Sequence, residues 1–277
     1  AGVDPYTHYQ QHGKSEGRLS RMPDIPGIEN ISDHNPARET VLVILHEASR
    51  TGAPILGYNL AHALLEEYNV ITICIGPGPI IETLQLAGSI TIGPIPYSNH
   101  VIGHVITEIN NRITIKFAIV NSIVSSLSLK PLALQFIPTV ILIHEFASYT
   151  LPHGIISDAV LWAGSTIFSS SLIKSDACEH CPDLNELDLL VIPQGRSRLP
   201  PETLSAHLVE ERLDDYITEL RPSSFPSDGI VVLGLGSVQF RKGVDLFLSC
   251  AALVKRRAPE LPIRFAWIGK GYDPLKD

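Results

Sequence analysis

TVLVILHEASRTGAPILGYNLAHALLEEYNVITICI, residues 40–75, holds in one stretch the alternation on which the fold turns. VLVIL (41–45) is an apolar run without polar interruption, the pattern of a strand buried on both faces. APILGYNLAHALLEEY (53–68) then places Ile55, Leu56, Leu60, Ala63 and Leu64 on one stripe at helical spacing. NVITICI (69–75) is a second apolar run. Between the first strand and the helix lies LHEASRTGAP (45–54), with His46 and Glu47 at the strand end. Gly52 reads as a permissive turn there, and Pro54 suits a first helical position. Strand, loop, helix, strand is the repeating unit of a doubly wound parallel sheet.

Outward from this stretch the same pattern recurs. SITIG (89–93), KFAIV (116–120), TVILI (139–143), STIF (165–168) and LLVI (189–192) follow, mostly separated by segments of helical length. Seven runs thus precede Pro193. A polar, proline-rich stretch comes next, with one amphipathic helix in PETLSAHLVEERLDDYITEL (201–220) and the breaker PSSFPSDG (222–229). GIVVLGL (229–235), a helical segment with Val244, Phe247, Leu248, Ala251 and Val254 on one stripe, and IRFAWIG (263–269) form a fresh strand–helix–strand unit. Residues 1–38 are polar and broken by Pro23, Pro26 and Pro36, with room for one short helix in DPYTHYQQHGKSEGR. The expected organisation is an N-terminal extension or linker (1–38), a Rossmann-like domain (39–200), a linker helix (201–228) and the first β-α-β unit of a second domain (229–277). The opening AGVDPY, without Met, and a second domain with only two strands suggest a fragment at both ends.

Bulk composition narrows the function. Hydrophobic residues make up 44% of the 277 and charged residues 18%, a globular balance. The net charge of −8 disfavours binding nucleic acid through a basic face. No apolar run reaches the roughly 18–20 residues of a membrane span, and no signal-peptide pattern opens the chain. Four cysteines do not make a disulfide framework in this length, so a reducing, cytoplasmic setting is expected.

In open α/β sheets ligands bind outside the carboxyl ends of the strands. His46 and Glu47 stand at one such end, where the following helix start could hold an anion; the same residues also make an ordinary strand-to-helix turn. LIHEFASYTLP (142–152) puts His144 and Glu145 at another. Neither pair extends to the zinc-protease pattern, because Arg50 and Ser148 occupy the position of the second His. VVLGLGSVQFRKGVDLFL (231–248) carries Gly234 and Gly236, but Gln239 replaces the third glycine of the dinucleotide fingerprint. Arg241 and Lys242 follow at a helix start, where cations are disfavoured unless an anion binds between them and the helix amides; a solvated surface pair is the plainer reading. ACEHCP (177–182) offers Cys178, His180 and Cys181 without the partner pair a structural zinc needs, so no metal site is expected. SSS (169–171) reads as a helix cap rather than a nucleophile.

Taken in order, several of these motifs resemble one family. GSVQFRKGVDLFL…FAWIGKGYDP is similar to the start of the donor-binding domain of retaining glycosyltransferases of family 4, the group 1 enzymes with the GT-B fold. HEASRTGAP…NLAHAL, VILIHEF, TIFSSSLIKSDA and VIPQGRS resemble successive landmarks of its acceptor-side domain, so the likeness spans residues 40–277. The leader resembles segments that precede such domains in bacterial cell-surface polysaccharide enzymes. The resemblance implies transfer of a sugar from a nucleotide diphospho-sugar, with retention, to a glycan or lipid-linked acceptor. It matches Arg241 and Lys242 to cations that hold the donor diphosphate and stabilise the leaving group. Gly52 matches the glycine that admits the phosphates, His144 a residue near the reacting sugar, and Gly236 and Ser237 the second domain's share of the pocket. It implies no metal or other cofactor. The family's later pair of glutamates would fall beyond Asp277, so the 277 residues alone are expected to be inactive or weak and the full-length parent active.

Two other functions remain open: a sugar-nucleotide epimerase of the same architecture, whose acid and base have no visible place, and a non-catalytic GT-B-like module. Peripheral contact with the inner face of the membrane is a further expectation of the family. The acidic helix at 202–220 would oppose it.

Overall fold

The structure, a computed structural model, describes residues 4–16, 21–201, 206–269 and 271. It forms two compact units, Ala1–Pro201 and Glu202–Asp277.

In the first unit a single helical turn, α1 (Pro5–His8), continues into a π-helical turn at Tyr9–Gly13. Strands and helices then alternate: β1 (Thr40–Leu45), α2 (Gly52–Leu64), β2 (Asn69–Cys74), α3 (Ile80–Leu86), β3 (Ile90–Ile92), α4 (Asn99–Arg112) and β4 (Ile115–Asn121). After them come α5 (Leu129–Leu134), β5 (Thr139–Ile143), α6 (Ile155–Trp162), β6 (Ser165–Phe168), α7 (Ser171–His180) and β7 (Leu190–Val191). All seven strands pair in parallel, in the order β3-β2-β1-β4-β5-β6-β7. The chain winds outward from β1 on one side, returns, and winds outward from β4 on the other. The point of reversal, between the carboxyl ends of β1 and β4, is where such sheets open a crevice.

The central strand explains the layers. Every residue of β1 is buried. Val41, Val43 and Leu45 face a cluster with Ile55, Tyr58 and Ala61 of α2 and Ile80 and Leu84 of α3. Leu42 and Ile44 face the opposite cluster, built from α4, α5, α6 and α7. The period of two along β1 thus feeds two helical layers at once, which is why the strand needs no polar face. Ile25 and Ile31, from the proline-broken N-terminal segment, also join the core.

Three details differ from the sequence reading. The buried face of α2 runs through Ile55, Tyr58 and Ala61, while Leu60 is only half-buried and Ala63 is exposed. The inward face is rotated because Gly57 brings the helix against Leu45: a Cβ there would lie 2.1 Å from a Leu45 methyl. Pro54 is the third helical residue rather than the first, since Thr51 is the N-cap. At the sheet edge, β7 keeps only two residues, both exposed.

The second unit holds α8 (Ala206–Leu220), β8 (Ile230–Leu235), α9 (Val244–Arg257) and β9 (Ile263–Ile268), with β8 and β9 paired in parallel. Phe247 of α9 meets Phe265 and Trp267 edge-on, at 5.6 and 5.3 Å between centroids. Leu248, expected on the same stripe, is exposed. The four cysteines are unpaired: Cys74 and Cys181 are buried, Cys178 is half-buried and Cys250, on α9, is exposed. Burial in β2 pushes the Cys74 thiol up to about 12. No described helix is long and apolar enough to cross a membrane.

Candidate functional site

Three strand ends meet at the crevice of the first unit. β4 ends in Asn121, fully buried, followed by Ser122 at φ 82° and ψ 145°. A non-glycine residue there is strained by roughly 1–3 kcal/mol and needs neighbours to hold it. Ser122 Oγ accepts from the Val124 amide at 3.2 Å and donates to Glu145. Glu145 also accepts from the amides of His144 (3.0 Å) and Ile123 (3.3 Å). The glutamate after β5 therefore ties the turns after β4 and β5 together.

His144 is positioned by both of its nitrogens. The Asn121 Nδ2 group donates to the Ala53 carbonyl in the first turn of α2, at 2.6 Å. Its Oδ1 must then face His144 Nε2, 2.9 Å away, so that nitrogen carries the proton. Nδ1 is left to accept from Gln194 Nε2, beyond β7. A relay of Gln194, His144, Asn121 and Ala53 thus crosses the crevice floor to the start of α2. Burial lowers the His144 pKa, and nearby His46 lowers it further, against an opposing pull from Glu145. His46, at the end of β1, is likewise lowered by burial, with Glu47 and Glu145 opposing. Its Nε2 lies 3.7 Å from Glu47 Oε1, and its buried Nδ1 has no hydrogen-bond partner among the described residues.

The loop into α2 is organised by Glu47, whose Oε1 accepts from Ser49 (2.6 Å) and Thr51 (3.4 Å). Gly52 opens the helix with no left-handed torsion, so the turn does not demand glycine. A Cβ at Gly52 would meet nothing within 4 Å. The residue's distinction is open space above it, not backbone freedom. Over the same helix the chain returns as residues 198–201. Asn59 accepts from the Arg198 amide and donates to its carbonyl, while Arg50 donates to the carbonyls of Pro200 and Pro201.

In the second unit Gly236, at φ +141°, follows β8, and the Lys242 stem packs beside it, its Cγ and Cδ 3.7 Å from where a Cβ would stand. Ser237 is half-buried next to them. The structure thus gathers Gly236, Ser237 and Lys242 at one strand end. Arg241 belongs to the same short turn, Phe240–Lys242, but its side chain lies outside the described residues. The sequence places these cations at a helix start; in the structure they lie in this turn, just ahead of α9. Gly243, at φ 73°, is the N-cap of α9, and Asp245 occupies the first turn, the sign the helix dipole favours. Gly234 has a reason the sequence did not reveal: a Cβ there would lie 2.1 Å from the Trp267 ring, whose Nε1 donates to the Gly236 carbonyl at 2.8 Å.

Sequence reasoning located His144, Glu145, His46 and Glu47 as strand-end residues. It missed Asn121, Ser122, Gln194 and Trp267. For Asn121 and Ser122 the available signal was a polar pair closing an otherwise apolar run. Ser170 does cap α7, accepting from the Ile173 amide at 3.2 Å. Among the described residues no group of three or more His, Cys, Asp or Glu is disposed to hold a metal ion.

No protein-family model matches this sequence, and no curated protein does. Solved structures do resemble its fold. One is Anabaena Alr3699/HepE in complex with UDP, at TM-score 0.52 and 11% identity over 84% of this chain and 70% of that one. The same protein in complex with UDP-glucose gives 0.51 and 12% over 83% and 69%. A glycosyltransferase from Rickettsia africae ESF-5 gives 0.50 and 16% over 86% and 70%. At such identities the likeness carries the architecture: an α/β chain of GT-B type, with one complete doubly wound domain and a β-α-β unit of a second.

Proposed function

We propose that this chain belongs to a retaining glycosyltransferase that moves a sugar from a nucleotide diphospho-sugar to a glycan or lipid-linked acceptor in polysaccharide synthesis. The observation that carries the reading is the relay that holds His144 at the switch-point crevice, beneath the first turn of α2. The complexes of the structurally similar Anabaena Alr3699/HepE with UDP-glucose and with UDP support it.

In this reading His144 is a polar contact for the sugar rather than a free base, since both of its nitrogens are engaged. Gln194 is exposed and replaceable. A donor sugar hydroxyl takes its place, donating to Nδ1, while Asn121 keeps the ring and its tautomer fixed. The open space over Gly52 admits phosphate oxygens toward the amides at the start of α2. Within the second unit, Gly236, Ser237, Arg241 and Lys242 form the diphosphate grip. Breaking the anomeric C–O bond leaves negative charge on the departing nucleotide diphosphate, and the two cations oppose that charge in place of a metal. The expected setting is the cytoplasm, with peripheral contact at the inner face of the membrane.

The epimerase alternative needs a free acid and base, and Glu47 and Glu145 are the carboxylates at the ends of β1 and β5. Both are committed to loop and backbone hydrogen bonds, which favours transfer.

Calorimetric titration with UDP tests the reading. The protein is expected to bind, and Lys242→Ala and Arg241→Ala are each expected to weaken binding about tenfold, the loss of one charge-assisted contact. Unchanged UDP affinity in the double variant overturns the grip. Robust sugar transfer by His144→Ala overturns the role of that residue.

A further inference from the structure

A groove of about 750 Å³ runs between α4, α5 and α6 of the first unit, outside the network at the strands' carboxyl ends. It lies within the size range of ligand-binding pockets. Its walls show three features that core packing does not explain.

The first is a stripe on α4. Val101, Ile102, Val105, Ile106 and Ile109 turn into the core. His100, Gly103 and Thr107, at i, i+3 and i+7, line the groove instead. A glycine inside a helix costs about 1 kcal/mol relative to alanine. At Gly103 nothing in the fold demands it, since a Cβ would meet only Pro131, at 3.8 Å.

The second is a polar floor already held in place. Gln135 donates to Thr107 (3.3 Å) and accepts from Asn110 (3.3 Å), and Thr107 donates to the Gly103 carbonyl (2.8 Å). The third is a pair of partly exposed aromatic rings. Tyr97 is tethered through its hydroxyl to the Val124 carbonyl at 3.2 Å. Trp162 has the Lys130 ammonium 5.4 Å from its ring centre.

The charges decide the ligand class. Among the described residues, Lys130 and Asp158 are the only groove-lining ones with formally charged side chains, one of each sign. A phosphate ligand would call for more cations. A lipid chain or an apolar helix would desolvate Lys130, Asp158, Asn99 and His100 without returning hydrogen bonds. A neutral sugar ring answers both demands. Its C–H face covers an aromatic ring, and its hydroxyls donate to and accept from amide, carboxylate and ammonium groups. We propose that the groove between α4, α5 and α6 binds a neutral oligosaccharide. This goes beyond the transfer reading and stands independently of it.

Trp162 and Trp267 are the only tryptophans, and Trp267 lies in the second unit, so Trp162 emission reports the groove directly. The test titrates the protein with neutral trisaccharides of glucose, galactose and N-acetylglucosamine in turn. At least one is expected to give a saturable emission change that disappears in Trp162→Phe. Gly103→Leu fills the groove with a better helix former and removes no packed side chain. It is expected to abolish binding with the urea midpoint unchanged or raised. Trp162→Ala is expected to weaken binding, followed by NMR, about tenfold. The proposal is overturned if no trisaccharide binds, if binding survives Gly103→Leu, or if phospholipid vesicles rather than trisaccharides give the saturable change. UDP affinity is expected to be the same in Gly103→Leu, so failure of the groove and failure of the transfer reading remain distinguishable.

Discussion

β1 and β8 begin alike in sequence, TVLVIL against IVVLGL, and each leads through a glycine-bearing turn toward a helix. Their surroundings differ. Every residue of β1 is buried between two helical layers, whereas Ile230, Leu233 and Leu235 of β8 are 57, 47 and 70% exposed, and no residue of α9 is buried. An apolar run specifies a strand in both cases. What it contributes to stability depends on how many layers cover it, and among the described residues β8 is paired with β9 alone.

Truncation is the most direct way to break this comparison. Leu42→Ala should cost about 2–5 kcal/mol, transfer and cavity terms together, and Leu233→Ala under about 1 kcal/mol, both read from urea denaturation. Equal losses would refute the contrast. A second test lies at the crevice. Asn121→Ala leaves His144 Nε2 without its buried partner and should cost about 1–3 kcal/mol, with the His144 ring resonances shifted in NMR spectra. The same variant should leave Trp267 fluorescence, and so the second unit, unchanged.

The two lowered histidines sharpen the contrast through pH. His46 and His144 bind protons less readily folded than unfolded. The unfolded state therefore takes up more protons as pH falls. The first unit should keep this stability above about pH 6.5, the ordinary histidine value, and lose it progressively as pH falls below that. Urea midpoints at several pH values should show the decline, and the double variant His46→Gln, His144→Gln should flatten it. The smallest stability change is expected at Gly52→Ala, within about 0.5 kcal/mol, because its Cβ meets nothing. Under the transfer reading UDP binding should nonetheless weaken, and calorimetry separates the two effects.

Most of the fold was legible because buried parallel strands need uninterrupted apolar runs, and TVILI and STIF coincide residue for residue with β5 and β6. The rotated face of α2 was not, because it depends on Leu45 lying against Gly57 across the layer. At the site, His144 and Glu145 could be located from where a strand ends. Asn121 could not be linked to His144, because nothing local says that β4 lies between β1 and β5. Gly234 looked like half of a phosphate loop until Trp267, 33 positions later in the chain, supplied a packing reason for it.

The cysteines turn the difference between the units into a kinetic readout. A thiol reacts as its thiolate, so Cys74, held near 12 inside β2, is protected both chemically and sterically. Exposed Cys250 should be alkylated at once at neutral pH, whereas Cys74 can react only when its sheet opens. The alkylation rate of Cys74 itself, resolved from that of buried Cys181 by peptide mass spectrometry, is then a clock for the opening of the seven-stranded sheet.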